Sequence, residues 1–408
     1  AAGLSMARSG EHAGEAAEDL SLRRISADAS PVVKLVNSTL YDALKQGASD
    51  IHLEAVPAGL VIKYRIDGVL SRVGGAAGVE LAEQAISRIK VMAELDIAER
   101  RVPQDGRFKA RTGGREIDFR VSIMPSIHGE DAVLRVLDKE HLTREMSGLT
   151  LESLGFPEIT RGVLRRLAGE PYGMLLVTGP TGSGKTTTLY AAVDRIRTGR
   201  EKIVTVEDPV EYELPGVPQV PVNPKVGLTF ASALRALLRQ DPDVMLVGEI
   251  RDHDTADIAT HAALTGHLVL STLHTNDAAT ALTRLVDLGV ERYLVASTVE
   301  AVLAQRLVRV LDPAQSEEYA PTPVECGALG GEWSPELRFR RPLPGLGRNG
   351  GYRGRTGLYE LVVVDEAMRR LVHDGAGEHE LTALARSRTP ALLADGWDKV
   401  RAGITSVE

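Results

Sequence analysis

Cysteine, aromatic residues and long apolar runs are scarce in this 408-residue sequence. Its one cysteine, Cys326, excludes a disulfide within the chain and is typical of a reducing compartment. Aromatic residues make up only 4%, so the cores must depend on Leu, Val, Ile and Ala. No apolar run approaches the roughly 18 residues that a membrane-spanning helix needs, and the N-terminus lacks the pattern of a secretory signal. We therefore predict a cytoplasmic protein.

The net charge and the length of the chain limit its expected partners and its number of domains. A net charge of −8 argues against a chain that coats nucleic acid or an anionic membrane, so no nucleic-acid partner is expected. A chain of 408 residues is too long for one compact core, and two or three domains are expected. The sequence begins with Ala rather than Met, which leaves open a fragment of a longer chain.

The first part of the chain predicts a small α+β domain. Ser30 and Pro31 form a helix start, with Ser30 as the N-cap. Alternating apolar and polar residues then predict strands, with a tight turn at Asp67-Gly68 and a hairpin turn at Gly113-Gly114. An amphipathic helix lies between these two strand regions, so helix and sheet have to pack on one core.

The second part of the chain predicts an α/β domain. Short, continuous apolar runs ("MLLVT", "IVTV", "VMLV", "LVLSTL") alternate with helical patterns, as in a parallel sheet that is buried on both faces. A stretch rich in Pro and Gly follows, and a short helical region closes the chain. The predicted segments are a flexible N-terminal segment 1–28, the first domain 29–139, a polar linker 140–152, the α/β core 153–310, the Pro/Gly-rich module 311–356 and a helical subdomain 357–408.

A phosphate-binding loop lies between a predicted strand and a predicted helix. The sequence "GPTGSGKT" satisfies G-x-x-x-x-G-K-[ST], in which glycines let backbone N–H groups approach phosphates and the lysine reaches the β and γ oxygens. The helix N-terminus adds a partial positive charge. The residues expected to hold the nucleotide here are Gly179, Pro180, Thr181, Gly182, Ser183, Gly184, Lys185, Thr186 and Thr187.

Carboxylates follow two of the other apolar runs. Glu207 and Asp208 end one run, with Glu211 three residues further on, and Glu249 follows another. Parallel strands deliver such groups to the carboxyl edge of the sheet, where ligands bind. We expect Thr186 and Glu249 to ligate Mg²⁺, and Glu211 to polarise the attacking water with support from Glu207 and Asp208. Taken singly, each acid could instead be an ordinary loop carboxylate.

Histidines bracket the fourth apolar run. His267 precedes it and His274 ends it, and one of the two is expected to sense the γ-phosphate. No histidine spacing matches a transition-metal site, so a structural role competes with this interpretation.

These motifs, in this order, resemble the secretion ATPase superfamily. "GPTGSGKTTTLY", "VTVEDPVEYE", "LRALLRQDPDVMLVGEIRD", "TGHLVLSTLHTNDA" and "GYRGRTGLYEL" carry the resemblance, which extends over about residues 30 to 407 and is closest to the type II secretion ATPases. The resemblance implies a PAS-like second N-terminal domain and a RecA-like P-loop ATPase domain. It also implies an acidic box from Glu207 to Glu211, a Walker B motif ending at Glu249, and a histidine box from His267 to His274.

The same resemblance implies arginines that reach phosphate or a neighbouring subunit. Solvated surface charges are the alternative for each of them. These arginines are Arg107, Arg120, Arg235, Arg239, Arg251, Arg284 and Arg355. Local patterns fit the first interpretation, since Arg120 points away from the apolar face of its strand and Arg235 and Arg239 share one side of a helix.

Two departures from the family concern metal and membrane. Type II secretion ATPases usually carry two C-x-x-C pairs in the module before "GYRGRTG", but the matching positions are Asp312, Gln315, Pro344 and Gly347. We therefore predict no zinc and a mobile module held only by packing and turns. The family's first N-terminal domain also has no counterpart here, so we expect peripheral membrane association only through partners.

The resemblance predicts a Mg²⁺-dependent ATPase that forms a homohexamer and drives pseudopilus assembly for type II protein secretion. Its partners would be inner-membrane platform proteins, at the cytoplasmic face of that membrane. A type IV pilus, competence or conjugation motor is an alternative, as is an ATP-dependent scaffold with negligible turnover. A DNA translocase is disfavoured by the acidic charge and the few aromatic residues.

Overall fold

The computed structural model describes residues 17–28, 30–138, 148, 150–344 and 350–407. The chain forms two compact units, residues 1–142 and residues 143–408. Their division falls within the segment 140–152, most of which lies outside the described residues.

Helices and strands cover most of the described chain. The helices are α1 (Leu22–Ala27), α2 (Pro31–Lys45), α3 (Val79–Met92), α4 (Glu158–Leu167), α5 (Lys185–Ile196), α6 (Phe230–Leu237), α7 (His253–Leu264), α8 (Ala278–Asp287), α9 (Arg292–Thr298), α10 (Pro323–Ala328), α11 (Glu366–Asp374), α12 (Glu378–Arg386) and α13 (Leu392–Arg401). The strands are β1 (Glu18–Asp19), β2 (Asp50–Val56), β3 (Gly59–Ile66), β4 (Val69–Ala77), β5 (Gln104–Thr112), β6 (Arg115–Ser126), β7 (Gly129–Leu137), β8 (Gly173–Thr178), β9 (Ile203–Glu207), β10 (Gln219–Pro221), β11 (Val244–Val247), β12 (Leu268–Leu273), β13 (Val299–Leu311), β14 (Ser316–Tyr319), β15 (Phe339–Pro342) and β16 (Tyr352–Val363).

The first unit is a seven-stranded sheet with two main helices. Its strand order is β1-β5-β6-β7-β2-β3-β4, and every pair after the first is antiparallel. The helix α2 begins after Ser30, whose hydroxyl accepts a hydrogen bond from the Val33 N–H at 3.5 Å. Alternate residues of β6, including Phe119, face a core shared with α2 and α3. The predicted helix start and both predicted turns are therefore confirmed.

The prediction of a flexible segment over residues 1–28 is wrong for its last part, and its first sixteen residues lie outside the described chain. Glu18 and Asp19 add a parallel strand to β5, and α1 follows. Leu20 between them is fully buried, which explains the difference, because one large apolar side chain anchors an otherwise polar stretch.

The second unit is built on a second seven-stranded sheet. Its order is β10-β9-β11-β12-β8-β13-β16, and the strands are parallel except for β16 at the end. The strands β8, β9, β11 and β12 are buried at every residue, because helices cover both faces. The parallel α/β core predicted from the apolar runs is confirmed, and it places β8 in the interior of the sheet.

Two predicted boundaries in this unit are wrong. The divisions at 310/311 and 356/357 fall inside β13 and β16, which pair with each other along almost their whole length. The glycines of "GYRGRTG" are typical of a loop, but Gly354 and Gly357 belong to β16. Gly357, for example, leaves room for the ring of Tyr359, which a Cβ there would approach to 2.1 Å.

The module after β13 has a small core of its own. Cys326 and Phe339 are fully buried and pack with Val400 of α13. The Phe339 ring also lies 5.7 Å from the ring of Trp397, edge on. The described part of the module is thus held by apolar packing that reaches across to the last helix, while residues 345–349 are outside the described chain.

Candidate nucleotide-binding site

The phosphate loop connects the buried end of β8 to the start of α5. Gly179 leaves the strand with φ 149°, and Gly184 caps α5 in the left-handed region with φ 85°. A Cβ at Gly179 would come within 2.4 Å of the Gln305 carbonyl oxygen, so only glycine fits there. Between them, Pro180, Thr181 and Gly182 form the exposed outer part of the loop.

Lys185 is the first residue of α5 and is buried. Its ammonium group donates to the carbonyl oxygens of Gly179 at 2.8 Å and of Pro180 at 3.0 Å. Burial lowers the pKa of Lys185 to about 8, and the nearby charge of Glu249 only partly opposes this shift. A buried lysine that has only carbonyl hydrogen-bond acceptors favours an added anion beside it.

Ser183 gives a second indication of a ligand at the loop. Its hydroxyl oxygen is buried and makes no hydrogen bond to any described residue. The first N–H groups of α5 are also free of intrahelical partners, as at every helix start. Phosphate oxygens would satisfy these donors.

Gln305 of β13 holds this loop, and the motif search missed it. Its side-chain amide N–H₂ donates to the Ser183 carbonyl at 2.7 Å, and its amide oxygen accepts from the Thr188 hydroxyl at 2.9 Å. The residue is 1% exposed. The next residue, Arg306, donates to the carbonyl oxygens of Gln305 and Asn276, which ties β13 to the loop after β12.

Glu249, His274 and Arg251 meet at the carboxyl edge of the sheet. Glu249 follows β11, and its carboxylate lies 2.6 Å from Nε of Arg251 and 3.3 Å from Nε2 of His274, which follows β12. The same carboxylate is close enough to Lys185 to act on its pKa. The structure therefore brings together groups that the sequence placed at the ends of three different strands, as predicted.

The residues predicted to ligate Mg²⁺ fit that ion. Thr186 lies at the second position of α5, and Glu249 offers one largely buried carboxylate. Mg²⁺ in nucleotide enzymes typically takes one or two protein ligands and fills its other positions with water and phosphate oxygens. No group of three or more His, Cys, Asp or Glu side chains suited to a metal occurs among the described residues.

Glu207 lies beside this site but has structural partners. Its carboxylate accepts hydrogen bonds from Tyr190, from Thr205 at 2.5 Å and from Gln219 at 3.1 Å. These bonds occupy both carboxylate oxygens, and the supporting role of Glu207 stays a prediction. Asp208 after it is exposed, and Glu211 is half-buried in that loop.

The prediction that either histidine could sense the nucleotide is corrected for His267. It precedes β12, whereas the phosphate loop follows the parallel neighbour β8. Six strand residues at about 3.3 Å each separate His267 by about 20 Å from the carboxyl edge. Its ring instead contacts the Ala262 carbonyl at 3.0 Å. Of the two predicted histidines, His274 lies at the carboxyl edge beside Glu249.

The remaining predicted arginines of this unit are exposed. Arg235 pairs with Asp254 of α7 at 3.4 Å, and Arg239 donates to the Arg235 carbonyl at 2.9 Å. Arg284 lies on α8 and Arg355 on β16, each with an exposed side chain. The structure does not bring these four arginines to Lys185 through any described contact.

The two predicted arginines of the first unit are neighbours in its sheet. Arg107 on β5 and Arg120 on β6 are direct cross-strand partners, and Arg135 on β7 lies opposite Arg120 in turn. All three are exposed. Arg135 pairs with Asp50 at 3.1 Å. Adjacent like charges are unfavourable, and the row concentrates positive charge on this face of the sheet.

The positions that match the family's cysteines hold no thiol. The Asp312 carboxylate accepts a hydrogen bond from the Ala314 N–H at 2.9 Å, which caps a short helical turn. Gln315 and Pro344 offer no strong zinc ligand, and Gly347 lies outside the described chain. Zinc therefore does not fit the described positions.

Comparisons with known proteins identify the family of this chain. The sequence model of the family "Type II/IV secretion system protein" matches residues 26–408. The chain is 53% identical over 382 residues to the type II secretion system protein E of Pseudomonas aeruginosa, covering 93% of this chain and 75% of the relative. It is 50% identical over 384 residues to the type II secretion system ATPase E of Vibrio cholerae, covering 94% and 75%.

Solved structures show the same fold. The Legionella pneumophila ATPase DotB matches with a TM-score of 0.66 at 22% identity, covering 93% of this chain and 94% of that one. The pilus retraction motor PilT with bound ADP matches with a TM-score of 0.58 at 27% identity, covering 93% and 95%. None of the described helices is long and apolar enough to cross a bilayer. The chain belongs to the type II/IV secretion system protein family.

Proposed function

We propose that this chain hydrolyses ATP with Mg²⁺ as a hexameric motor that drives pseudopilus assembly in type II protein secretion. One observation carries the catalytic part of the proposal: Lys185, Glu249 and His274 converge beside a glycine-rich loop at a helix start. Relatives at about half identity bear the names of type II secretion proteins and of an ATPase, which supports the reaction and the system.

Nucleotide binding follows from the loop. Its backbone N–H groups and the start of α5 bind the phosphates, and Ser183 supplies a hydroxyl that has no other described partner. The Lys185 ammonium exchanges its two carbonyl acceptors for phosphate oxygens. Because that exchange places a cation beside an anion in a buried site, it is electrostatically favourable.

The proposed reaction is in-line attack of water on the γ-phosphorus. The water oxygen forms the new bond, the bond to the β–γ bridging oxygen breaks, and ADP leaves. We assign Glu211 to orient the water and take its proton, and Lys185 to stabilise charge on the transferred group. Bound Mg²⁺, held by Thr186 and Glu249, would neutralise phosphate charge. We assign His274, which lies 3.3 Å from the Glu249 carboxylate, to sense the γ-phosphate.

The ring assembly rests on the arginines. Arg107 and Arg120 stand side by side on an exposed strand face, which concentrates positive charge where an anion would be attracted. We assign this role to the nucleotide phosphates, with Arg235, Arg239 and Arg284 available at contacts between subunits. Hydrolysis would then change the charge that these arginines contact, which couples phosphate release to movement.

A type IV pilus motor is the second candidate, and the likeness to PilT favours it. The higher identity to type II proteins, 53% against 27%, places it second. Type II partners would be inner-membrane platform proteins, so the chain would act at the cytoplasmic face of that membrane. Complementation of a type II secretion mutant and of a pilus mutant distinguishes the two candidates.

Turnover of the purified chain tests the enzyme. Lys185→Ala is expected to abolish binding and hydrolysis of ATP, whereas Glu211→Gln should abolish hydrolysis and keep binding, measured by phosphate release and by a fluorescent nucleotide. Equal loss of binding in both variants would reassign Glu211. Wild-type protein that binds ATP in a hexamer and shows no Mg²⁺-dependent turnover would instead support the scaffold interpretation.

Mixed rings test the arginines. Arg107→Ala subunits and Lys185→Ala subunits are each expected to be inactive alone, because each lacks one half of a shared site. A mixture should regain part of the activity wherever an intact arginine faces an intact phosphate loop. Activity of the mixture no higher than that of either variant would contradict a site shared between subunits.

A further inference from the structure

We propose that Gln305 is a positioning residue for the phosphate loop, and that its amide sets the affinity of the site for nucleotide phosphates. This inference rests on the proposed ATP binding. Gln305 follows Ala304, the last residue of β13 that pairs with β8, so it lies one step beyond the point where β8 turns into the loop. No local sequence motif marks the position, which is 120 residues from Lys185 along the chain.

The side-chain amide of Gln305 joins the phosphate loop to α5. Its N–H₂ group holds the Ser183 carbonyl at 2.7 Å, at the peptide just before Gly184. Its oxygen takes the Thr188 hydroxyl at 2.9 Å, on the first turn of α5. The loop and the helix that carries Lys185 are therefore fixed to one rigid strand. A loop held in this way presents its N–H groups without a reorganisation cost when phosphate binds.

The backbone of the same residue constrains the loop from the other end. The Gln305 carbonyl oxygen lies 2.4 Å from where a Cβ of Gly179 would be, so strand and loop are in direct contact. Arg306 then reaches from β13 to the Asn276 carbonyl at 2.8 Å, in the loop that follows His274. Contacts with β13 therefore fix both ends of the phosphate loop and the loop that follows β12.

A general packing role is the competing explanation, and Gln305→Glu separates the two. Glutamate has the same shape and still accepts from Thr188, but it faces the Ser183 carbonyl with an acceptor instead of a donor. Repulsion between the two oxygens moves the Ser183 carbonyl and displaces the adjacent N–H groups of the phosphate loop. The reversed hydrogen bond and the added negative charge both weaken phosphate binding, so we expect the Kd for ATP and ADP to rise about 10- to 100-fold, and Thr188→Val, which adds no charge, isolates the hydrogen-bond part.

The experiment measures nucleotide Kd, kcat at saturating ATP and the melting temperature for three variants. Gln305→Glu should raise Kd strongly while kcat at saturation falls less, and Thr188→Val should raise Kd several-fold because one of the two amide contacts remains. Gln315→Glu, which makes the same change at an exposed position of the same unit, should leave all three quantities unchanged.

Three outcomes are distinguishable. Wild-type Kd in folded Gln305→Glu, or in Thr188→Val if Gln305→Glu does not fold, overturns the inference. A lower melting temperature with unchanged Kd assigns Gln305 to packing alone and also overturns it. Wild-type protein that binds no nucleotide refutes the proposed function itself, whatever the variants do.

Discussion

The depressed pKa of Lys185 predicts that nucleotide binding takes up a proton near pH 8. Burial lowers this pKa to about 8, so at that pH about half of the chains carry a neutral amine. A triphosphate beside the amine favours its charged form and raises the pKa of Lys185 well beyond the pH range considered. Each chain whose Lys185 is neutral must therefore gain one proton from solvent when it binds a nucleotide.

The magnitude follows from the titration curve. We expect uptake of about 0.1 proton per nucleotide at pH 7, about 0.5 at pH 8 and about 0.9 at pH 9. Phosphate groups titrate near pH 6, so above pH 7 the proton belongs to the protein. Affinity should correspondingly fall as pH rises above 8, approaching tenfold per pH unit.

Calorimetry in pairs of buffers with different ionisation enthalpies measures this uptake directly. Lys185→Arg is the matched control, because a guanidinium stays charged throughout this range; its weaker binding is measured at higher protein concentration. Uptake that stays near zero from pH 7 to pH 9, or that persists in Lys185→Arg, would refute the assignment of the lowered pKa to Lys185.

Two further predictions concern stability, and a third concerns nucleotide binding. Phe339→Ala should lower the free energy of unfolding of the second unit by about 3–5 kcal/mol in a denaturant titration, since the ring is fully buried. Adding a chelator to the wild-type protein should leave that free energy unchanged, because the module is held by packing. One zinc per chain by elemental analysis would contradict the absence of a zinc site. Lys90→Met should destabilise the first unit by about 3–5 kcal/mol, because Lys90 is fully buried 2.5 Å from the Glu130 carboxylate, and the double variant with Glu130→Leu should recover much of the loss; equal loss in both would argue against a buried charge. Gly184→Ala should weaken nucleotide binding, because φ 85° strains an L-residue; unchanged binding would show that the loop relaxes.

Much of the site could be predicted because its determinants are local. The phosphate loop needs only eight consecutive residues with glycine at fixed places, and the sheet edge needs only the ends of apolar runs. Glu249 and His274 are found together for this reason. The error at His267 came from treating both ends of one strand alike, although parallel strands put their two ends on opposite edges.

The rest could not be predicted because it depends on pairing between distant segments. Gln305 meets Ser183 only because β13 lies next to β8 in the sheet. The Pro/Gly-rich stretch looked like a loop, since the pairing of β16 with β13 is not visible in either segment alone. Likewise, Leu20 is one apolar residue in a polar stretch, and only its burial shows why that stretch is ordered.

The pairing of β13 with β16 has a consequence for how the protein can be divided. Every residue after Leu311 was expected to belong to appended parts, yet β16 is the strand that closes this end of the sheet. Cutting the chain at residue 311 would leave β13 as a long, largely apolar open edge, the kind of surface on which chains aggregate. The part of the chain after Leu311, about a quarter of its length, is therefore not a removable accessory, and fragments meant to retain catalysis should end beyond Val363.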